Sequence, residues 1–176
     1  MDDETLFQRV CRKDEVAIAE LVARYHSPIY KFLVRYTGDV ALADDMVQET
    51  FIRLLTHKGT APGQFKAWIY TIATNIARDH FRSASYRYES MTDFNERDDF
   101  PSRPMSEAED GYVSSALAKL PLEQREVVIL RFYHDLKLEE IAAILHAPLG
   151  TIKSRLFHGL KALKGFLALM EIVEHD

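Results

Sequence analysis

The segment LEEIAAILHAPLGTIKSRLFH, residues 138–158, has the clearest structural pattern in the C-terminal half of this chain. Apolar residues recur at three- and four-residue spacing on both sides of the turn at residues 146–150, which contains a proline and a glycine. A short helix, a tight turn with glycine and a longer basic helix form the pattern of a helix-turn-helix. The second helix of such a unit can lie in the major groove of DNA. The stretch therefore predicts a helix pair with a surface suited to a nucleic-acid duplex.

The positions that this pattern leaves on the outside are polar or basic. Lys and Arg can contact phosphates and guanine edges, while Thr and Ser can reach the sugar-phosphate backbone or bases. Residues 141–170 contain no acid. We therefore predict duplex contacts at Thr151, Lys153, Ser154, Arg155, His158 and Lys161. The alternative is an ordinary helical hairpin whose basic face is only solvated.

The other periodic segments also predict helices, because their apolar residues fall on one face at helical spacing. Apolar positions between 18 and 33 mark the first of these helices. Further helices are predicted at residues 40–56, 64–82, 112–120, 122–132 and 150–169. No stretch alternates with a period of two, so the chain is predicted to be all-α.

A segment of different composition, residues 86–110, separates the two groups of helices. It has few branched aliphatic residues, contains Pro101 and Pro104, and carries 8 acids against 3 bases. Such a segment buries too little apolar area to offset its ordering entropy. We predict a flexible acidic linker between two small helical domains, residues 1–85 and 111–176. A long surface loop within one domain is the alternative, although loops of this length are uncommon.

The composition is that of a soluble globular chain, with 47% hydrophobic and 28% charged residues in 176, which excludes wholesale disorder and collagen-like chains. The single cysteine, Cys11, cannot form an internal disulfide and favours a reducing, cytoplasmic location. No apolar run is long enough to span a bilayer, and the acidic start lacks the layout of a signal peptide. The net charge of −5 lies entirely in residues 86–110, so it does not argue against a polyanionic ligand.

One predicted helix of the first half has a polar, acidic stripe. Asp45, Gln48, Glu49 and Ile52 follow the spacing i, i+3, i+4, i+7, while Met46, Thr50 and Leu54 lie towards the other side, with Val47 beside them. A solvated helix face is one reading of this stripe. A binding face for a basic partner protein is the other.

The next predicted helix interleaves aromatic residues with arginines. Such a surface suits a single nucleic-acid strand, whose backbone needs positive charge and whose unpaired bases need pockets. Because Phe65 and Trp68 lie on the apolar side of the helix, we predict that they belong to the core. The contacts with nucleic acid are predicted at Asn75, Arg78, Arg82 and Arg87.

Together these segments resemble the extracytoplasmic-function group of bacterial RNA polymerase sigma factors, over nearly the whole chain. The motifs that carry the resemblance are DMVQETF (45–51), WIxxIAxNxxxDxxR (68–82), LPxxxR (120–125), EIA (140–142) and GTIKSR (150–155). One departure is His158-Gly159, where the family commonly has Arg-Ala. It removes a fixed charge and places glycine inside a helix, at about 1 kcal/mol relative to alanine.

The resemblance implies a sigma factor that binds core RNA polymerase and directs promoter-specific initiation without covalent chemistry. The stripe at Asp45, Gln48 and Glu49 would dock on the clamp coiled coil, and the polymerase flap would be a further contact. The region of Asn75 and Arg78 would hold a base flipped out of the melted minus-ten element, and the helix-turn-helix would read the minus-thirty-five duplex. An anti-sigma protein is implied as a further partner.

Two other classes of function can be compared with the features of the sequence. A stand-alone helix-turn-helix regulator would explain residues 111–176 but would leave the acidic stripe and residues 68–82 without a role. An enzyme has little support, since the chain lacks a glycine-rich phosphate loop, a His-Glu-x-x-His metal motif and a Ser/His/Asp cluster. We therefore predict no catalytic residues, no metal and no cofactor.

Overall fold

The computed structural model describes residues 1–60, 63–91 and 111–175, and all regular structure in these ranges is α-helical. This confirms the all-α class. The helices in chain order are α1 (Asp3–Cys11), α2 (Glu15–Thr37), α3 (Val40–Thr56), α4 (Phe65–Met91), α5 (Gly111–Lys119), α6 (Leu122–Phe132), α7 (Leu138–Leu145) and α8 (Leu149–His175).

The first three helices begin at aspartates that cap their N-termini. The side chain of Asp2 accepts from the amide of Thr5, and Asp14 and Asp39 cap α2 and α3 in the same way. Each cap satisfies an amide that has no partner within the helix and places a negative charge at the positive end of the helix dipole. Helix α2 is capped at its C-terminal end by Gly38, whose φ of 73° is accessible to glycine at little cost.

Helix α4 differs from the prediction at its C-terminal end. It continues to Met91, so residues 86–91 of the predicted linker form its last turns. The rest of that predicted linker, residues 92–110, lies outside the described residues. Helix α1 was not predicted, because its apolar residues Leu6, Phe7 and Val10 are too few to give a clear periodic signal.

The described helices share a single apolar core that runs through both halves of the chain. In the N-terminal half, α1, α3 and α4 pack against α2, and in the C-terminal half α5, α6 and α7 pack against α8. The halves also meet each other, since α2 packs on α5 and α6 while α4 packs on α7. Buried side chains such as Phe32 and Ile129 belong to one continuous cluster. Burying apolar surface is the main favourable term that holds the helices together.

Within the described part of the chain, no helix is both long enough and apolar enough to cross a membrane.

Candidate functional site

The stripe predicted on α3 lies on the outer face of that helix. Asp45 and Gln48 are exposed, Glu49 is half-buried, and Ile52 exposes 55% of its surface. The opposite face is buried in the core through Met46, Val47, Thr50 and Leu54. A single exposed apolar side chain is common on protein surfaces. An exposed apolar side chain with apolar neighbours forms a patch, and such patches are typical of interaction sites.

Such a neighbour is present at Leu55, three residues after Ile52. Leu55 exposes 42% of its surface and extends the apolar end of the stripe by one turn. The sequence prediction missed this residue, although the i, i+3 spacing could have identified it. Within the stripe, Glu49 pairs with Arg53 at 3.1 Å. A surface pair of this kind contributes well under 1 kcal/mol, so both side chains can be redirected towards a partner.

The four residues predicted to contact a single strand all lie on α4 but have different surroundings. Asn75 and Arg82 are exposed, and Arg87 belongs to the last turns of the helix. Arg78 is half-buried and directs its guanidinium at Glu126 of α6, with 2.6 Å from Nε to Oε1 and 2.6 Å from Nη2 to Oε2. Its hydrogen bonds to Glu126 raise the pKa of Arg78. On the described surface of α4, Asn75 and Arg82 are therefore free to bind a ligand, whereas Arg78 is already paired with Glu126.

The aromatic residues at the start of α4 are part of the core. Phe65 is fully buried, and its ring lies 5.3 Å from that of Phe7 and 5.4 Å from that of Tyr25. Trp68 is half-buried with its ring edge-on to Phe7 at 5.2 Å. These contacts agree with the prediction that both residues belong to the core.

Helices α7 and α8 are arranged around buried Ile141, Leu145 and Ile152. His146, at the turn between them, has a φ of 52°, in the left-handed region that ends the first helix. The predicted duplex-contacting residues lie on the outer side of α8. Lys153, Ser154, His158 and Lys161 are exposed, whereas Thr151 and Arg155 are half-buried.

Two details of α8 were not predictable from its own sequence. Arg155 lies 3.7 Å from the exposed carboxylate of Glu123 on α6. Gly159 is buried where α8 crosses α6, and a β-carbon there would lie 3.0 Å from Cγ2 of Val128 and 3.3 Å from Cβ of Gln124. The glycine in the middle of this helix therefore permits a close approach of two helices, which explains why a residue of low helix propensity is found there.

The face between the two halves contains polar contacts as well as apolar ones. The hydroxyl of Tyr70 lies 2.9 Å from Nδ1 of His134, and Thr71 donates to the carbonyl of Ile144 at 3.2 Å. The guanidinium of Arg35 lies over the ring of Tyr133, 3.9 Å from its centre, in a cation–π contact. None of these pairs could be predicted from sequence, because each joins residues more than 60 positions apart.

His134 is held neutral by this environment. Burial lowers its pKa from an ordinary 6.5 to about 4, with smaller effects from the positive charges of Arg35, Lys66 and Lys31 on the other half. Its Nε2 atom is buried and has no hydrogen-bond partner among the described residues. Tyr70, the group that contacts the other ring nitrogen, is also kept neutral because burial raises its pKa. Burial therefore suppresses protonation of His134 in the folded chain down to about pH 4.

We expect the protein to lose stability as the pH falls below about 6.5. The unfolded chain binds a proton at His134 between about pH 6.5 and 4 and the folded chain does not, so the slope approaches about 1.4 kcal/mol per pH unit in that window. Urea unfolding at pH 7.0 and 5.5 measures it. His134→Gln should flatten the slope, whereas His158→Gln, at an exposed position, should not. Equal slopes for both variants would contradict this assignment.

Within residues 1–60, 63–91 and 111–175, no three His, Cys, Asp or Glu side chains are grouped as a metal site would require.

Comparison with known proteins gives two family matches and several relatives. Residues 21–87 match the family model for sigma-70 region 2, and residues 110–163 match the model for sigma-70 region 4. The RNA polymerase sigma-H factor of Pseudomonas aeruginosa is 31% identical over 176 residues, covering 92% of this chain and 91% of the relative. The ECF sigma factor SigW of Bacillus subtilis is 32% identical, covering 89% and 92% respectively.

A solved structure has a similar fold. It is the sigma factor RpoE from Bartonella quintana in complex with the anti-sigma factor NepR, with a TM-score of 0.70, 23% identity, and coverage of 85% of this chain and 96% of that one.

Proposed function

This chain belongs to the extracytoplasmic-function group of the sigma-70 family, and from that premise we propose which of its surfaces meet polymerase and promoter. As a sigma factor it binds core RNA polymerase and directs transcription from specific promoters. The match of residues 21–87 to region 2 supports this function over that of a stand-alone helix-turn-helix regulator, which would use residues 111–176 alone. The division of labour between residues 1–85 and 111–176, and the individual contacts, are our proposal.

The outer face of α3 is the surface we assign to core polymerase. The observation that carries the proposal is that Asp45, Gln48 and Ile52 project from a helix whose other face is buried, so none of these three side chains is needed for packing within the fold. The acidic part suits a basic partner, and the apolar end at Ile52 and Leu55 supplies area that gains from desolvation. We take this partner surface to be the coiled coil of the clamp.

Gln48→Ala combined with Glu49→Ala is expected to weaken binding to core polymerase by roughly 30-fold, about 2 kcal/mol at the centre of an interface. Fluorescence anisotropy with core enzyme measures the affinity, and run-off transcription measures the consequence. Gln8→Ala with Glu15→Ala makes the same two changes at exposed positions on α1 and α2 and should leave affinity unchanged. Binding by the α3 variant within threefold of the wild-type affinity would place the polymerase contact elsewhere.

The exposed side of α4 is the surface we assign to the opened minus-ten strand. Asn75 offers an amide that can read a base edge, and Arg82 offers a charge for the backbone. Arg87 follows on the same helix, and Arg78 would join them once it leaves Glu126. Extruding a base costs a few kcal/mol, which a pocket for the unstacked base offsets. The function therefore consists of binding, with no bond made or broken by this chain, and we propose no catalytic role.

The outer side of α8 is the surface we assign to the minus-thirty-five duplex. Lys153, Ser154, His158 and Lys161 are exposed and stand beside Thr151 and Arg155 on a helix preceded by the turn of a helix-turn-helix. The flap of polymerase would hold the C-terminal half of the chain near the minus-thirty-five element.

An anti-sigma protein is the further partner we propose, since the RpoE fold neighbour is described in complex with one. Such a protein would act in the cytoplasm, where sigma factors meet polymerase.

A further inference from the structure

A cavity opens to solvent between α2 and α3. Its volume is about 330 Å³, at the lower end of the range for ligand pockets, which suits a single protruding side chain. None of the residues that line it belongs to the stripe of α3, and one of them is a carboxylate. They are His26, Tyr30, Val40, Ala41 and Asp44.

Aromatic rings form one wall of this cavity. The ring of His26 lies nearly parallel to that of Tyr30, at 7° with 6.3 Å between centres, and to that of Phe51, at 12° with 6.2 Å between centres. Phe51 is only 8% exposed, so the core holds one end of this row of rings in place. Tyr30 is half-buried and His26 is exposed. The wall is therefore formed before a ligand arrives, which limits the entropy lost on binding.

The carboxylate of Asp44 supplies the polar side of the cavity. Asp44 is exposed, and no cation or hydrogen-bond donor among the described residues engages its side chain. Residues 39–50 contain four acids and no Lys or Arg, so the charge around the cavity complements a cation. The carboxylate of Asp39, which caps α3, offsets the positive end of the helix dipole. The remaining lining, at Val40 and Ala41, is aliphatic.

An arginine side chain has the chemistry that this cavity requires. Its guanidinium is planar, stacks on aromatic faces and can donate two parallel hydrogen bonds to one carboxylate. Its aliphatic stem can lie on Val40 and Ala41. A lysine ammonium would meet the charge of Asp44 without the planar stacking. An apolar side chain would remove Asp44 from water without giving it a partner, which costs free energy.

We propose that the cavity binds one arginine side chain of the protein that docks on α3. Asp44 is the carboxylate that pairs with the guanidinium, and the rings of Tyr30 and His26 are the wall on which it stacks. The proposal rests on the assignment of the α3 face to core polymerase, and it extends that face onto α2. Asp44 and Leu55 lie about three turns apart on the same side of α3, so the partner should present its arginine roughly 16 Å from an apolar patch.

The first test measures the affinity of the full chain for core polymerase by fluorescence anisotropy. Asp44→Asn removes the charge of the cavity and keeps its size, and we expect roughly tenfold weaker binding with a shallower dependence on salt. Asp135→Asn makes the same change at an exposed position of the C-terminal half and should bind within about twofold of the wild-type affinity. Equal affinities of the two variants would overturn the proposal.

The second test asks whether the ring and the carboxylate contact the same group. Tyr30→Leu should weaken binding roughly fivefold, whereas Tyr30→Phe keeps the ring and should not. Because both groups would contact one arginine, Tyr30→Leu combined with Asp44→Asn should lose roughly fifteenfold and not the fiftyfold product of the single losses. Circular dichroism checks that each variant is folded. Losses that multiply would show two independent contacts and would contradict a shared arginine.

A third test identifies the class of ligand without polymerase. The free chain is titrated with N-acetylarginine amide while NMR follows the ring signals of Tyr30 and His26. The shifts should exceed those that N-acetyllysine amide causes, and they should be lost in Asp44→Asn. Equal shifts with the two amides would overturn the assignment to arginine.

The variant Gln48→Ala with Glu49→Ala separates this proposal from the proposed function. If that variant weakens polymerase binding whereas Asp44→Asn and Tyr30→Leu do not, only the cavity is rejected. If none of these variants weakens polymerase binding, the assignment of the α3 face to polymerase fails and the docking of an arginine from polymerase fails with it.

Discussion

Replacement of Phe65 by alanine is expected to lower the free energy of unfolding by about 3–5 kcal/mol. The ring is fully buried and packs between Phe7 and Tyr25, with Trp68 6.0 Å away on the same helix. Alanine would leave a cavity lined by rigid rings that cannot move in to fill it, which is the costly kind of truncation. Because Phe65 is also the first residue of α4, the loss would loosen the helix that carries Asn75 and Arg78.

Urea denaturation followed by circular dichroism measures this loss, which corresponds to a decrease of roughly 10 °C in melting temperature for a chain of this size. The control is Phe157→Ala, because Phe157 exposes 64% of its surface on α8. That change should alter stability by less than about 0.5 kcal/mol. If Phe65→Ala weakened single-strand binding and left stability intact, Phe65 would be a base-stacking residue and not a core residue.

Replacement of Arg125 by methionine is expected to destabilise the protein by about 3 kcal/mol. Its guanidinium donates to the carbonyls of Leu117, Ala118 and Leu120 at 2.9, 2.8 and 2.9 Å, at the C-terminal end of α5. The last carbonyls of a helix have no further turn to supply donors, and a positive charge is favourable at that end of the helix dipole. A fourth bond, of 2.9 Å, reaches the carbonyl of Tyr36 on α2.

The fourth contact extends the effect of Arg125 to the face between the halves. Burial lowers the pKa of Arg125, so the carbonyls that accept from it offset a desolvation cost. Methionine keeps much of the length but leaves the carbonyls of Ala118, Leu120 and Tyr36 without this donor, whereas that of Leu117 still accepts from the amide of Leu120 at 3.1 Å. Lysine should recover less than half of the loss, because one ammonium group cannot span carbonyls that the planar guanidinium reaches from three nitrogens.

The same urea measurement checks this expectation, with Arg12→Met at an exposed position as the control. Recovery of full stability by Arg125→Lys would show that the charge alone matters and not the geometry of the guanidinium.

The surfaces of single helices were largely predictable from sequence. The bounds of α3, α6 and α7 coincide with the predicted segments, and the buried face of α3 contains the residues assigned to it. These features depend on periodicity within one helix, where residues three and four apart lie on the same side. Helix α1 was missed for the opposite reason, since its apolar pattern is too short, whereas the i, i+3 spacing from Ile52 could have identified Leu55.

The contacts between side chains of different helices could not be predicted from the sequence. The sequence gives no reason to distinguish Glu126 from the other acidic residue of α6. In the structure it is the most buried charged residue among those described, and it accepts hydrogen bonds from Arg78, 48 positions away. From the sequence, Gly159 is expected only to lower the helix propensity of α8. In the structure it is the point where that helix passes close to Val128 of α6.

Most of the helices, their exposed and buried faces and membership of the sigma-factor family were predictable from the residues alone, because each depends on local spacing or on a short motif. The engagement of Arg78 by Glu126 and the neutral state of His134 against Tyr70 arise only when the helices are packed together. Such states depend on how two distant segments exclude water from one another, and desolvation is a property of the packed pair and not of either segment.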